Sequence, residues 1–339
     1  IAQRGTSTSS ITGNGYHTVD RFQTIVSGLG TWTQSQSTDV PTGQGFATSL
    51  KMDCTTADAS PASGDNLYIR QKIEGQNLQY LKKGTSSAES LTCSFWVKSN
   101  KTGTAQVNLV DEDNSRLNGR KYTISSANTW EKKTLTFDGD TSGVFTNDNG
   151  TSLRLEFWLD AGSDYTSGTT PTSWQSNTSA DQFAGCTLAL ADNTANEWYI
   201  TGVQLEAGTS ASDFEFLPVD VNLERCKRYY QLLDGGDATS AISVAASYST
   251  TTAYSILSLN PEMRTQPSID QVTGTDYFAY LNAGNTRTFD SFAGSTGNST
   301  NKFMRINNAD DLSTNTTAGQ SGWIKTDNTS AYLAFDAEL

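Results

Sequence analysis

Carboxylates are the first residues in this chain to test for chemistry. Asp111, Glu112 and Asp113 fall where a strand runs into a turn, and Asp138 and Asp140 do the same further on. Two carboxylates facing a cleft can hydrolyse a glycosidic bond, one as acid and the other as base or nucleophile. Solvated turns are the simpler account of both clusters. Neither is a D-x-D-x-D-G calcium loop, because Ser115 takes the third ligand position and Arg116 follows where the glycine belongs. A structural calcium ion held by backbone carbonyls would leave no trace in the sequence, so the metal question stays open; no other cofactor is implied. His17 is the chain's single histidine, which removes most Ser-His-Asp and Cys-His chemistry and every multi-histidine metal site. It precedes Asp20 and Arg21, an arrangement that fits an entry strand with an Asp-Arg bridge better than a catalytic pair. Gly28-Leu29-Gly30 lacks the third glycine and the Lys-Ser/Thr of a nucleotide loop. No catalytic residue is assigned, and the chain reads as a non-enzyme.

Aromatic residues carry more information. The chain has 7 Trp, 13 Tyr and 14 Phe while only 17% of it is charged, and sugars are held by stacking on aromatic faces beside a few polar groups. The aromatics on the polar side of a strand are therefore the interesting ones. In one run Leu153, Leu155, Phe157 and Leu159 alternate with Arg154, Glu156, Trp158 and Asp160. With the apolar set facing a core, Trp158 must point away from it and stand exposed among charges. Leu91, Cys93, Phe95 and Val97 alternate in the same way with Thr92, Ser94, Trp96 and Lys98, as Leu67, Ile69, Gln71 and Ile73 do with Tyr68, Arg70, Lys72 and Glu74. If these strands share a sheet, Trp158, Glu156, Arg154, Trp96, Tyr68 and Arg70 lie together on its outer face. That face either binds a glycan, which makes these six the candidate ligand-binding residues, or packs on a loop or a second subunit.

The elements that must position them are strands. Short alternating runs recur between Gly, Ser, Thr, Asn and Asp clusters, without helical spacers, which predicts an all-β protein: a jelly-roll β-sandwich of antiparallel sheets. Further strands are expected over 106–111, 129–137, 186–191 and 197–206. A helix is expected over 220–233, capped by Asp220 or Asn222, with Leu223, Cys226 and Tyr230 on one stripe and Gly235-Gly236 as its stop. The strand pattern resumes over 241–248 and 253–259. With Pro218 marking the break, the domains are read as residues 1–219, a jelly roll, and residues 220–339, a short helix followed by a second, smaller β domain.

The 339 residues suit two domains at about 100–200 residues each. A net charge of −13 has the wrong sign for neutralising phosphates over an extended surface, which argues against nucleic acid. No run approaches the roughly 18 apolar residues of a membrane span, so no membrane insertion is expected. Cys54, Cys93, Cys186 and Cys226 are widely spaced, without C-x-x-C pairs, and read as free, buried thiols. No fixed period of 20–50 residues suggests a propeller or a stacked β-helix.

Several segments resemble bacteriophage tail-fibre and other virion appendage proteins that carry a carbohydrate-binding-module-like jelly roll. Chief among them is 198–208 (WYITGVQLEAG), followed by Phe214-Glu215 and by 225–231 (RCKRYYQ). Agreement extends to 2–7 (AQRGTS) with 19–22 (VDRF), to 73–78 (IEGQNL) with 94–99 (SFWVKS), to 261–268 (PEMRTQPS) and to the terminal 336–339 (DAEL). The resemblance implies a structural virion protein, made in the host cytoplasm, that binds a host cell-surface polysaccharide without cleaving it and associates with other virion proteins. The alternative it leaves is a purely structural appendage with no ligand of its own. It also implies a homo-oligomer, a trimer, for which Tyr277, Phe278 and Tyr280 are expected as exposed aromatics that pair between subunits.

Overall fold

A computed structural model describes residues 1–235, 237–294 and 296–339. Among them the strands pair antiparallel, and no helix is long and apolar enough to cross a membrane. Terminal residues aside, the chain forms two compact units, Ala2–Phe216 and Leu217–Glu338.

The first unit is a sandwich. One sheet has six strands in the order Ser7–Ile11, Thr31–Ser37, Ser49–Thr56, Glu197–Ala207, Leu91–Ser99, Glu131–Phe137. The other has seven, in the order Gln175–Ser176, Arg116–Ile124, Gly103–Asp111, Thr151–Ala161, Asn66–Glu74, Phe22–Ser27, Gly15–Tyr16. The period-2 alternation fixes which side chains meet between them. Trp32, Met52, Phe95, Val97 and Trp198 come from the six-stranded sheet, and Leu67, Ile69, Val107, Leu153, Leu155 and Phe157 from the seven-stranded one, all essentially without solvent contact. Phe95 stands edge-on to Phe157 and to Tyr122, each at 5.2 Å and 84°. At about 1.5–3 kcal/mol per buried side chain, this alternating set supplies most of the drive for the two sheets to close.

Residues 186–191 are not a strand. Leu188, Leu190 and Ala191 are buried as expected of an apolar run, but the segment is a loop. The Thr187 and Leu188 amides both donate to the Thr104 carbonyl, and a 3-10 turn spans Leu190–Asp192. The run's apolar groups plug an end of the core without a partner strand, a role that periodicity cannot separate from a strand.

In the second unit, the helix spans Val219–Lys227, with Pro218 before it, Asp220 in its first turn and Arg225 and Lys227 in its last, matching the helix dipole. It buries Cys226 and ends six residues earlier than the sequence suggests, since Tyr230–Gly235 is a strand paired with Tyr332–Asp336. Tyr230 therefore belongs to a sheet, where its hydroxyl donates to Asp270 at 2.9 Å. Gly235 lies at the end of that strand, and Gly236 falls outside the described residues. A three-stranded sheet of Tyr230–Gly235, Tyr332–Asp336 and Ser268–Gln271 accompanies a seven-stranded one, ordered Asn285–Phe289, Phe278–Asn282, Ser321–Thr326, Ala241–Ser247, Ala253–Ser258, Phe303–Asn308, Phe292–Gly294.

The expected surface aromatics of this unit are core residues. Phe278 and Tyr280 have no exposure, and Tyr277 is half-buried. Phe278 packs against Phe292 at 4.5 Å and Phe289 at 5.7 Å, while the Tyr280 hydroxyl lies 3.1 Å from Ser247 Oγ and donates to the Gln320 carbonyl. Their strand sits inside the sheet rather than at its edge, which alternation alone does not reveal. Phe278 and Tyr280 cannot pair between subunits.

Candidate functional site

Strand register places five of the six candidates on the outer face of the seven-stranded sheet. Trp158 lies opposite Tyr68 on one side and Gln106 on the other; Glu156 lies opposite Arg70 and Asn108. Arg154 is one rung further, opposite Lys72, and Gln23 extends the Arg70 rung at the next strand. Trp96 is elsewhere. Its strand belongs to the six-stranded sheet, opposite Lys132 and Thr201, so the premise that the three strands share one sheet fails for it. Strand pairing joins residues far apart in sequence, and alternation within a run carries no information about it.

The five form a connected group. The Trp158 indole stacks on the Tyr68 ring at 4.3 Å with 12° between planes. Its Nε1–H donates to Glu156 Oε2 at 2.9 Å, and Glu156 Oε1 pairs with Arg154 Nε at 2.9 Å. Arg154 also pairs with Glu112, just past the end of the neighbouring Gly103–Asp111 strand. Arg70 donates from Nε to Gln23 Oε1 at 2.8 Å and lies over the Tyr68 ring at 6.0 Å. Burial, and then the Glu156 carboxylate, push the Tyr68 hydroxyl well above its ordinary pKa, so it stays protonated.

Trp158 is not exposed. It has 1% of its surface accessible, as does Glu156, because residues 162–185 cross the outer face and bring Tyr165 within 5.2 Å and Phe183 within 6.4 Å of the indole. This cover is held by the polar groups of the face itself. Gln106 Nε2 donates to the Asp181 carbonyl at 2.9 Å, Asn108 Nδ2 to the Gln182 carbonyl at 2.8 Å, and the Gly119 amide to the Pro171 carbonyl at 2.7 Å. Gly119 is needed there, since a Cβ would stand 2.8 Å from Gln106 Nε2 and 2.9 Å from Asn108 Oδ1. The face thus has a covered half around Trp158, Gln106 and Asn108. Its other half, with Tyr68, Arg70, Gln23, Lys72 and Arg154, is partly open.

The acidic turns are engaged in structure. Lys83, in neither candidate set, reaches between them: its ammonium lies 2.5 Å from Asp111 Oδ2 and 3.1 Å from Asp140 Oδ2, and donates to the Ser142 and Gly143 carbonyls at 2.9 and 3.0 Å. Arg116 holds Asp140 from the other side through Nε at 2.6 Å and Nη2 at 3.1 Å. Burial works to raise the Asp140 pKa, but Arg116, the Ser142 amide and Lys83 outweigh it and hold the carboxyl below its ordinary range. Among the described residues no group of three or more His, Cys, Asp or Glu side chains is arranged to hold a metal ion. His17 is half-buried, and burial followed by the Arg4 charge lowers its pKa, leaving it neutral near pH 7. Asp20 accepts from the Gln3 side chain at 2.7 Å, and Arg21 donates to the Lys72 carbonyl at 2.6 Å.

No protein-family model and no curated protein matches the chain. Solved structures similar to parts of it include the enzymatically active domain of tailspike protein 4 of bacteriophage CBA120, at 14% identity and a TM-score of 0.32 over 55% of this chain and 19% of that one. A family 11 carbohydrate-binding module from Clostridium thermocellum, described in complex with a mixed-linked tetrasaccharide, is similar at 8% identity and 0.31 over 61% and 98%. The N-terminal cellulose-binding domain of a Cellulomonas fimi glucanase is similar at 13% and 0.29 over 56% and 90%. The chain spans about a fifth of the tailspike domain's length.

Proposed function

We propose that the chain is a non-catalytic glycan-binding component of a bacteriophage tail fibre or capsid appendage. In this reading it adsorbs the virion to a host cell-surface polysaccharide, as a homotrimer in contact with other virion proteins. The observation that carries it is the partly open Tyr68 ring, backed by the buried Trp158 indole, beside Arg70 on the open half of an otherwise polar sheet face. A ring edge, a guanidinium and a carboxamide at one spot supply stacking and directional hydrogen bonds for sugar hydroxyls. Non-catalytic binding is supported by the state of the carboxylates. Asp111 and Asp140 are paired with Lys83, and Glu156 with Arg154, which leaves them poorly placed as an acid and base about a glycosidic bond.

A second reading, a structural appendage without a ligand, has one observation in its favour: the cover over Trp158 uses the amides of Gln106 and Asn108 that a bound sugar would otherwise engage. A glycan array of bacterial surface polysaccharides, run with the parent and Arg70→Ala, separates the two, and a reducing-sugar assay on the best hit tests for cleavage. Binding by the parent that falls at least tenfold in the variant, with no sugar released, is the expected result. Equal binding by both proteins moves the site off this face, no binding favours the structural reading, and sugar release makes the protein an enzyme.

A further inference from the structure

The exposed aromatic platform that Trp158 does not provide exists in the second unit. Trp323 lies on the outer face of the seven-stranded sheet there, with 39% of its surface accessible. Register places Thr286, Leu281, Trp323 and Val244 side by side across four strands. Ser321, two residues before Trp323, shares its face. Beside the indole is a groove of about 380 Å³, within the range of small-ligand clefts.

The local sequence builds this groove. Ala283 and Gly284, at φ 46° and 76°, form a two-residue hairpin turn in the left-handed region and raise one wall. On the inner side of the same strand, a Cβ at Gly322 would fall 2.2 Å from the Leu281 carbonyl oxygen and 2.7 Å from the Tyr280 ring, so glycine lets the strands approach closely behind the groove. Beneath, Asn282 is locked by donation to Thr316 Oγ1 at 2.6 Å and by contact with Arg287, which holds the hairpin rigid.

The chemistry of the lining selects its ligand. None of the groove's residues is charged, in a chain carrying −13 overall. The accessible groups are an indole, the Thr286 and Ser321 hydroxyls and the Asn285 carboxamide. Among the described residues the Trp323 N–H and the two hydroxyls have no hydrogen-bond partner, and the indole stacks on no other ring. Val244, 76% exposed, continues the apolar floor beyond the indole. An apolar strip bordered by neutral donors and acceptors matches a pyranose ring, which presents a C–H face and a rim of hydroxyls; a charged ligand would find no counter-charge here.

We propose that this groove is a second saccharide site, for neutral sugars, with Trp323 as the stacking platform and Thr286, Ser321 and Asn285 as hydroxyl partners. It rests on the reading of the chain as a glycan binder but uses residues of the other unit. The test takes the full-length parent, Arg70→Ala, Trp323→Ala and Ser321→Arg to an array of neutral oligosaccharides. Hydroxyl-radical footprinting of the best hit and sedimentation of each variant complete it. Neutral binding should survive Arg70→Ala and fall about tenfold or more in Trp323→Ala, the scale of single aromatic platforms. Ser321→Arg, which fills the groove from an exposed position, should fall similarly, and the sugar should protect the Trp323 peptide from oxidation. Neutral binding unchanged in both groove variants overturns this site while leaving the first-unit reading intact. Loss in Arg70→Ala alone has the same meaning. If Trp323→Ala and Ser321→Arg instead dissociate an oligomer, the face is an interface between copies and the proposal fails. A parent that binds no sugar of any kind overturns both readings.

Discussion

Lys83 is the most consequential single side chain that sequence patterning passes over, and replacing it with Met tests the account of the acidic turns. Its side chain is 4% exposed, and those of its partners Asp111 and Asp140 are 0% and 3% exposed. Met keeps the stem and its packing beside Phe145 and Trp174 but removes the charge. The two carboxylates then differ. Asp140 retains Arg116 and the Ser142 amide, whereas Asp111 is left with the Asn114 amide and side chain and, among the described residues, no other ion-pair partner. Breaking a buried pair from one side costs about 3–5 kcal/mol, because a desolvated charge stays behind. At about 2–4 °C per kcal/mol for a unit of this length, the midpoint of the first unit's thermal transition should fall by about 6–20 °C. Lys83→Met/Asp111→Asn should recover at least half of the loss, since the orphaned charge goes with its partner. The reasoning also fixes a pH dependence. The Asp140 carboxyl, held below its ordinary range in part by Lys83, contributes stability that is complete above about pH 4 and disappears as pH falls through the folded value, so acid should destabilise the parent more than Lys83→Met. Differential scanning calorimetry at pH 7 and pH 3 measures both effects. A single-variant midpoint within about 2 °C of the parent, or a double variant no better than the single, would refute the argument.

Trp158→Ala should act on stability before binding: at 1% exposure between Tyr68, Tyr165 and Phe183, its loss is expected to cost about 3–5 kcal/mol by urea denaturation, and a variant as stable as the parent would contradict the burial. Asp160 has the opposite pH signature to Asp140. Burial lifts its carboxyl to about 6 against the Ala191 and Ala161 amides that favour the charged form, so the folded state holds the proton more tightly than the unfolded chain. Its contribution is present below about pH 4 and lost as pH rises towards 6, and Asp160→Asn should flatten urea-derived stability across that window, where the parent declines. The four cysteines are free, and burial pushes the thiols of Cys54 to about 11 and of Cys93 and Cys186 to about 12. Thiol titration should count four groups in denaturant, with Cys54, Cys93 and Cys186 reacting only slowly in the native protein at pH 8, where their thiols stay protonated; two or fewer in denaturant would contradict the assignment.

What the sequence made legible follows from what alternation measures. The Leu153–Phe157 and Leu67–Ile69 runs identify strands and their core-facing sides because those residues share one sheet face. They also bring Tyr68, Arg70, Arg154, Glu156 and Trp158 to the other face. Alternation does not say whether that face is open. The cover over it reads as a polar Gly/Ser/Thr loop whose aromatics, Tyr165, Trp174 and Phe183, follow no period. It also cannot assign a strand to a sheet, which is why it groups Trp96 with partners that side chain never meets. Lys83 stands in a Lys-Lys-Gly stretch that resembles a solvated turn, and only tertiary contact reveals its neighbour to be Asp111.

The two arginines of the candidate face show which side of it is equipped for a ligand. Arg154 is neutralised by Glu156 and Glu112, so a ligand would have to displace a carboxylate to use it. Arg70 is held differently. Gln23 engages one nitrogen and the Tyr68 ring supports the plane, and among the described residues neither contact neutralises the charge or occupies the terminal nitrogens. A guanidinium oriented in advance loses less freedom on binding, and its two terminal donors suit paired acceptors such as adjacent sugar hydroxyls or a uronate carboxylate. Lysine at this position would keep the charge but lose both the fork and the support from the ring. Arg70→Lys should therefore weaken glycan binding nearly as much as Arg70→Ala if directional bonding does the work. A Lys variant that binds like the parent would reduce Arg70 to a point charge.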